Sequence, residues 1–343
     1  MRGWRNPSFI IIVLVTVANC SLLPRATRAV VLVRSADRNV TPPNGSLLNS
    51  GWQWQGQWRD FLGTAISTHY FVTAEHVGGT VGENFILNGV SYKTIATYDD
   101  PLTDLQVWRI AGSFPTWAPL YKKTAEAERG AVIYGRGTQR GDAVIVNNQL
   151  KGWLWGDDDH VQSWGTNLLV GPVSGMNDNG TAVSGTRIYW KFDRVGQAQE
   201  AAVTNGDSGG GVFIRDSGVW KLAGVNFGVQ SEFTFPGSTD VKNGALMDVG
   251  GLDMSDGTPI PDTVRDNPTR GYATRISDRV PWIFDVINGK VPPAAVATPG
   301  PGVPEPGSFA LLGAAVLLWH GFSTRAWERR RSVHSNLGAK RTG

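Results

Sequence analysis

Ser208 lies in Asn205-Gly206-Asp207-Ser208-Gly209-Gly210-Gly211, a serine among glycines with an acid directly before it. Apolar runs flank it: Ala201, Ala202 and Val203 before, Val212, Phe213 and Ile214 after. Glycine reaches backbone angles closed to other residues and lets another chain approach closely. A serine in such a turn can hold its hydroxyl clear while nearby N–H groups converge on one point. If a carbonyl is attacked there, that point stabilises the oxyanion. The plainer reading of the same stretch is a glycine-rich turn between two strands.

His76 offers a candidate general base. It emerges at the end of an apolar run, Tyr70-Phe71-Val72-Thr73-Ala74-Glu75, into a loop containing Gly78 and Gly79. Asp104 precedes the alternating segment Leu105-Gln106-Val107-Trp108-Arg109-Ile110. An acid at the mouth of a strand can accept a hydrogen bond from an imidazole and fix its tautomer. Taken singly, His76 also reads as a satisfied structural histidine and Asp104 as a strand cap. His69, in the turn Ser67-Thr68-His69, reads as structural, and Asp99 and Asp100, before Pro101, as a solvated turn. Asp157-Asp158-Asp159-His160 reads as a solvated acidic loop, because no glycine-spaced pattern of hard-metal ligands surrounds it. No metal or cofactor is expected.

The elements that must position these residues are short strands. The chain holds 43 glycines among scattered short apolar runs, which points to many turns and an all-β fold. Strands are expected on both sides of the turn at 67–69, over Leu105–Ile110, Ala131–Tyr134, Ala143–Val146, Leu168–Val170 and Thr186–Phe192, and over Trp220–Gly228 and Gly271–Ile276. Residues 229–268 read as a long irregular insertion with four prolines. Ser277-Asp278 caps a helix over Arg279–Asn288, with Val280, Ile283, Phe284 and Ile287 on one face and Gly289 closing it. Trp52 and Trp54 would share a face of a strand, for packing rather than for binding a sugar.

A hydrophobic content of 41% and a charged content of 18% fit a globular protein with a sizeable core. The formal charge of +3 misleads, because 22 of the 32 Lys and Arg but 27 of the 29 Asp and Glu lie between residues 30 and 303. The middle of the chain is therefore acidic and has no basic stripe, which argues against nucleic-acid binding. Cys20 is the one cysteine, so no disulfide is expected in the domain that follows.

Thr73-Ala74-Glu75-His76, Asp104-Leu105-Gln106-Val107 and Gly206-Asp207-Ser208-Gly209-Gly210 occur in the order His, Asp, Ser. That order, with those contexts, resembles the trypsin/chymotrypsin-like serine peptidases. Gly271-Tyr272-Ala273-Thr274-Arg275-Ile276 followed by Val280-Pro281-Trp282-Ile283 is similar to that family's C-terminal end. The resemblance implies two packed six-stranded antiparallel β-barrels with a C-terminal helix, and a site between the barrels. It implies His76, Asp104 and Ser208 as a catalytic triad, and the N–H groups of Gly206 and Ser208 as the oxyanion hole. It also implies substrate contacts at Ala202, Asn205, Asn226, Phe227 and Gly228, with Asn226-Phe227-Gly228 pairing with the substrate backbone. Ala202 stands where an acid would select Arg or Lys, so a trypsin-like preference is not expected. Glu75 replaces the family's usual alanine and adds a charge beside the base. No amino terminus of the Ile-Val-Gly-Gly kind is visible, so Asp207 needs another partner. The expected substrate is a protein or peptide, and the insertion at 229–268 is expected to wall its pocket. The alternative is a catalytically silent member of the fold acting as a matrix or binding protein.

The termini carry a second set of signals. Arg2, Arg5 and the apolar run Phe9–Ala18 read as an export signal over residues 1–29, cut after Ala18 or Ala29. The peptidase domain is expected over 30–290, followed by a Pro/Ala linker at 291–303. Val303-Pro304-Glu305-Pro306, the apolar stretch Phe309–Trp319 and Arg325, Arg329, Arg330 and Arg331 resemble a PEP-CTERM sorting signal over 304–331, with a short transmembrane helix and a basic tail at 332–343. That resemblance implies an exosortase-type partner, a membrane anchor before processing, and an exported, surface-associated or secreted product of a Gram-negative-type bacterium.

Overall fold

The computed structural model describes residues 30–176 and 182–294. The expected signal peptide, most of the linker, the sorting segment and the basic tail lie outside these residues. Among the described residues no helix is long and apolar enough to cross a membrane.

After a short strand β1 (Val31–Leu32), six strands close the first antiparallel barrel: β2 (Gln55–Trp58), β3 (Phe61–Ser67), β4 (Tyr70–Ala74), β5 (Asn84–Leu87), β6 (Val90–Asp99) and β7 (Leu105–Ile110). The chain then forms β8 (Gly130–Gly135), β9 (Thr138–Val146), β10 (Gln149–Asp158), β11 (Ser163–Met176), β12 (Ala182–Lys191), β13 (Ala201–Ala202), β14 (Gly211–Asp216), β15 (Val219–Val229), β16 (Glu232–Phe233), β17 (Lys242–Leu246) and β18 (Arg270–Arg275). The second closed barrel runs β11-β12-β18-β15-β14-β8. This is the all-β, two-barrel chymotrypsin-like arrangement that the sequence led us to expect, ending in helix α1 (Val280–Ile287).

Alternation of side chains along each strand fills the barrels. In the first, Trp58, Phe71, Phe85 and Trp108 are sealed, with Phe71 stacked on Phe85 at 4.0 Å between ring centres. The second is filled by Ile133, Leu169, Ile188, Trp190, Val212 and Ile214. The first core continues across the junction through Tyr134, Phe213 and Val225, so one apolar seam joins both barrels.

Three expectations change. Trp52 and Trp54 lie in a 3₁₀ turn rather than a strand. They dock on the second barrel, Trp52 edge-on to Tyr134 and Trp54 tilted against Phe213. In α1 the buried face is Val280, Ile283 and Val286, whereas Phe284 is exposed. Residues 229–268 are not wholly irregular. β17 pairs with β10, and β16-β17-β10-β9 form a separate four-stranded sheet. The β9–β10 hairpin that meets this insertion turns at Asn147-Asn148, both at positive φ, the chemistry of a tight hairpin.

Candidate active site

β4 delivers Ala74 to the rim of the first barrel, and the chain continues as a 3₁₀ turn, Glu75–Val77. β7 starts beside it, and the two strands pair up to Ala74↔Leu105. The backbone then locks the turn, with Glu75 N donating to Asp104 O at 3.1 Å and His76 N to Asp104 Oδ1 at 2.9 Å. The second carboxylate oxygen lies 2.6 Å from His76 Nδ1. A carboxylate can only accept, so Nδ1 carries the hydrogen and Nε2 presents a lone pair. Nε2 lies 2.8 Å from Ser208 Oγ, so the serine hydroxyl donates to it. The three residues brought together by order in the sequence are thus one continuous chain of hydrogen bonds. His76 remains open to solvent, at 43% side-chain exposure against 17% for Asp104.

Ser208 comes from the turn between β13 and β14 in the second barrel, and several contacts fix that turn. Gly209 has φ +76°, and a Cβ there would lie 2.2 Å from Leu62 O and from Thr73 Oγ1 of the first barrel. Only glycine allows that approach. Gln55 of β2 reaches across the junction and accepts from Gly211 N at 2.9 Å. Among the described residues, neither Gly206 N–H nor Ser208 N–H has an acceptor within the protein.

Asp207 is 1% exposed. The partner that the sequence left open is a set of three donors: Gly137 N to Oδ1 at 2.7 Å, Thr204 N to Oδ2 at 2.6 Å and Thr204 Oγ1 to Oδ2 at 3.1 Å. Burial outweighs these bonds and pushes the carboxyl up to about 7. Glu75, beside the base, is exposed. Its carboxyl is raised by partial burial and then by Asp99, Asp104 and Asp100, with His76 opposing.

The expected substrate contacts divide. Asn205 is exposed beside Gly206, and Phe227 and Gly228 are part-exposed, with the Phe227 ring edge-on to His76 at 6.1 Å. The Arg187 guanidinium of β12 lies over the Phe227 ring, 4.2 Å from its centre. Ala202 does not face open space: it is 4% exposed, in an apolar cluster with Val31, Trp153, Phe192, Ala245 and Met247. β1 pairs directly with its strand, Val31↔Ala202. Asn226 turns its side chain inward, at 2% exposure, donating from Nδ2 to Tyr134 O and Asp207 O.

Asp100 also differs from expectation. It is buried at 3%, gripped by Arg279 from the start of α1, whereas Asp99 is exposed. Asp159 is no free acid either, because Arg38 pairs with it on both oxygens. His69 bonds Gly112 O through Nδ1 at 2.6 Å, in the β3–β4 turn. Among the described residues no cluster of His, Cys, Asp and Glu is arranged to hold a metal ion. Thr204 and Gln55 were missed by sequence reasoning. A threonine four residues before the serine and a glutamine 156 residues from its partner Gly211 carry no local signal.

No family model matches the chain, and no curated protein matches it. Among solved structures, the fold is similar to neuropsin, a serine protease expressed in the limbic system of mouse brain. That match has 13% identity over 70% of this chain and 96% of the other, with a TM-score of 0.44. An inactive serine-to-alanine mutant of Rv3671c from M. tuberculosis H37Rv matches at 15% identity over 75% of this chain and 99% of the other, with a TM-score of 0.41.

Proposed function

We propose that this chain is an exported serine endopeptidase that cleaves peptide bonds through an acyl-enzyme. The observation that carries the reading is the hydrogen-bonded chain Asp104–His76–Ser208, in which the serine hydroxyl faces an imidazole lone pair. A serine hydroxyl is a weak nucleophile at neutral pH, so His76 Nε2 takes its proton as Oγ attacks the carbonyl. Asp104 holds the ring and offsets the charge of the imidazolium. The N–H groups of Gly206 and Ser208 receive the oxyanion. His76 then returns the proton to the leaving amine, and water, deprotonated by the same nitrogen, releases the acid.

An open sheet edge supports a peptide substrate. β14 pairs with β15 only as far as Gly211↔Val225, whereas β18 follows β15 on the other side to Val229↔Gly271. Among the described residues, Phe227–Val229 therefore has one edge without a strand partner, where an extended peptide can add by main-chain hydrogen bonds. With no acid at position 202 and that side chain covered, Arg or Lys specificity is not part of the proposal. The expected signal at 1–29 and sorting segment at 304–331 support a product handled by an exosortase-type enzyme at the cell envelope. Recovery of the mature domain only from the cytoplasm would overturn that part.

The second reading, a silent binding protein on the same fold, draws on Glu75 beside the base. A fluorophosphonate probe separates the two. Labelling of the wild type and not of Ser208→Ala is expected, and a wild type that stays unlabelled overturns the enzyme. An esterase would label too, so casein digestion distinguishes it from the peptidase.

A further inference from the structure

The peptide group between Asp207 and Ser208 has its two ends in different surroundings. Its carbonyl is held from inside the second barrel by Asn226 Nδ2 at 2.9 Å and Gly210 N at 3.2 Å. All described peptide bonds are trans, so the Ser208 N–H points away from those two donors. It finds no acceptor among the described residues. Whatever aims the carbonyl therefore aims the N–H. Gly210 belongs to the same turn and moves with it. Asn226 belongs to β15 and is tied to β8 as well, because its Nδ2 also donates to Tyr134 O at 2.7 Å. Its backbone grips the turn twice more, Asn226 N to Gly210 O at 2.8 Å and Gly209 N to Asn226 O at 3.1 Å.

The amide satisfies two carbonyls with its donor, while Oδ1 is buried without a partner among the described residues. The companion amide, Gly206 N–H, is aimed differently: its peptide carbonyl, Asn205 O, accepts from the backbone of Thr138 at 3.1 Å. Of the two oxyanion donors, only that of Ser208 is set by a side chain outside the turn.

We infer that Asn226 is a positioning residue for the oxyanion hole: it holds the Asp207–Ser208 peptide in the orientation that presents the Ser208 N–H to the attacked carbonyl. The inference rests on the serine-hydrolase reading above. It gives the Asn226 side chain, 2% exposed, a role separate from the expected pairing of Asn226-Phe227-Gly228 with the substrate backbone.

The test is pre-steady-state acylation by p-nitrophenyl acetate. For Asn226→Ala the acylation rate should fall about 10²-fold, the usual loss for one oxyanion donor, with the binding constant for the ester within about twofold. Asn226→Asp supplies a sharper readout. Its carboxyl donates to Asp207 O while protonated and cannot once ionised, so its rate relative to wild type should fall as pH rises. His76, Asp104 and Asp207 lie at this turn in every variant, and Asn226→Ala, which brings no carboxyl, is the control: its ratio to wild type should not vary with pH. A merely structural role would leave the ratio flat. Melting curves identify a variant that does not fold, and the other variant is then decisive. Wild-type acylation rates in both variants, or a flat ratio for Asn226→Asp, overturn the inference alone. A wild type that is never acylated overturns the functional reading and this inference together.

Discussion

The guanidinium of Arg279 lies against the carboxylate of Asp100 as a two-pronged pair, Nε to Oδ2 at 2.5 Å and Nη2 to Oδ1 at 2.6 Å. Asp100 also accepts from Thr103 Oγ1 at 2.5 Å and Leu102 N at 3.1 Å. The loop that delivers Asp104 is therefore fastened to the C-terminal helix, 179 residues away. Arg279→Met leaves a buried carboxylate unpaired and should cost about 3–5 kcal/mol in urea unfolding. Arg279→Lys keeps the charge but not the fork, so a smaller loss is expected. Both should slow ester turnover. Wild-type stability in Arg279→Met would show that the pair does not fasten the loop.

The two histidines of the first barrel should separate cleanly. His76→Ala removes the group bonded to both Asp104 and Ser208, and turnover should drop by about 10³-fold or more. His69→Ala removes only a contact to Gly112 O, and turnover should change less than about twofold, since an exposed contact of that kind touches no reacting atom. Equal losses from both would displace His76 as the base.

Two buried acids should tilt stability with pH. Glu200 is pushed up to about 7 by burial, against hydrogen bonds from Gln197 N and Asp193 N, and Asp207 likewise to about 7. Each binds its proton more tightly folded than unfolded. The stability they contribute is therefore complete below the unfolded carboxylate range and is lost as pH rises through about 7. Glu200→Gln removes one of these titrations, worth up to about 3 kcal/mol, and should flatten the fall in unfolding free energy between pH ~5 and ~8. An unchanged slope would rule out Glu200 as a source of the tilt.

Lys151 of β10 is fully buried and bonds Asp248 at 2.6 Å and Asp262 at 2.8 Å. Lys151→Met leaves two carboxylates facing an apolar side chain, and a loss of about 3–5 kcal/mol is expected. The loss should be local. Hydrogen exchange and proteolysis should rise over residues 247–268 while the two barrels stay protected. Uniform protection across the chain would mean that the lysine does not hold the insertion.

Much of the candidate site was legible because its chemistry sits on local patterns. His76 follows an apolar strand, Asp104 opens an alternating one, and Ser208 stands in a glycine turn; each pattern spans fewer than ten residues. The short strands alone pointed to an all-β fold; the two barrels were implied by the resemblance that the three patterns carry together. What could not be read depends on partners far away in sequence. Gln55 with Gly211 and Arg279 with Asp100 obey no spacing rule, so Asp100 looked like any acid before a proline. The inward turn of the Asn226 side chain could not be read either, because position along a strand does not say which way an amide turns. β10 escaped notice because Gly152 and bulges near Trp155 interrupt its alternation. β16 and β17 are too short and polar to stand out between prolines.

The four-stranded sheet outside the barrels has a consequence for how such a chain can be altered. One face joins Val144 of one hairpin to Phe233, Leu246 and Leu252 of the insertion, and the opposite face joins Trp153 to Ala245 and Met247. Neither segment covers its own side chains. Shortening one exposes what the other was hiding, and a newly bared patch of that kind invites aggregation. The two excursions from the barrel, separated in sequence by the whole of the Ser208 turn, thus behave as a single part, to be kept or removed together.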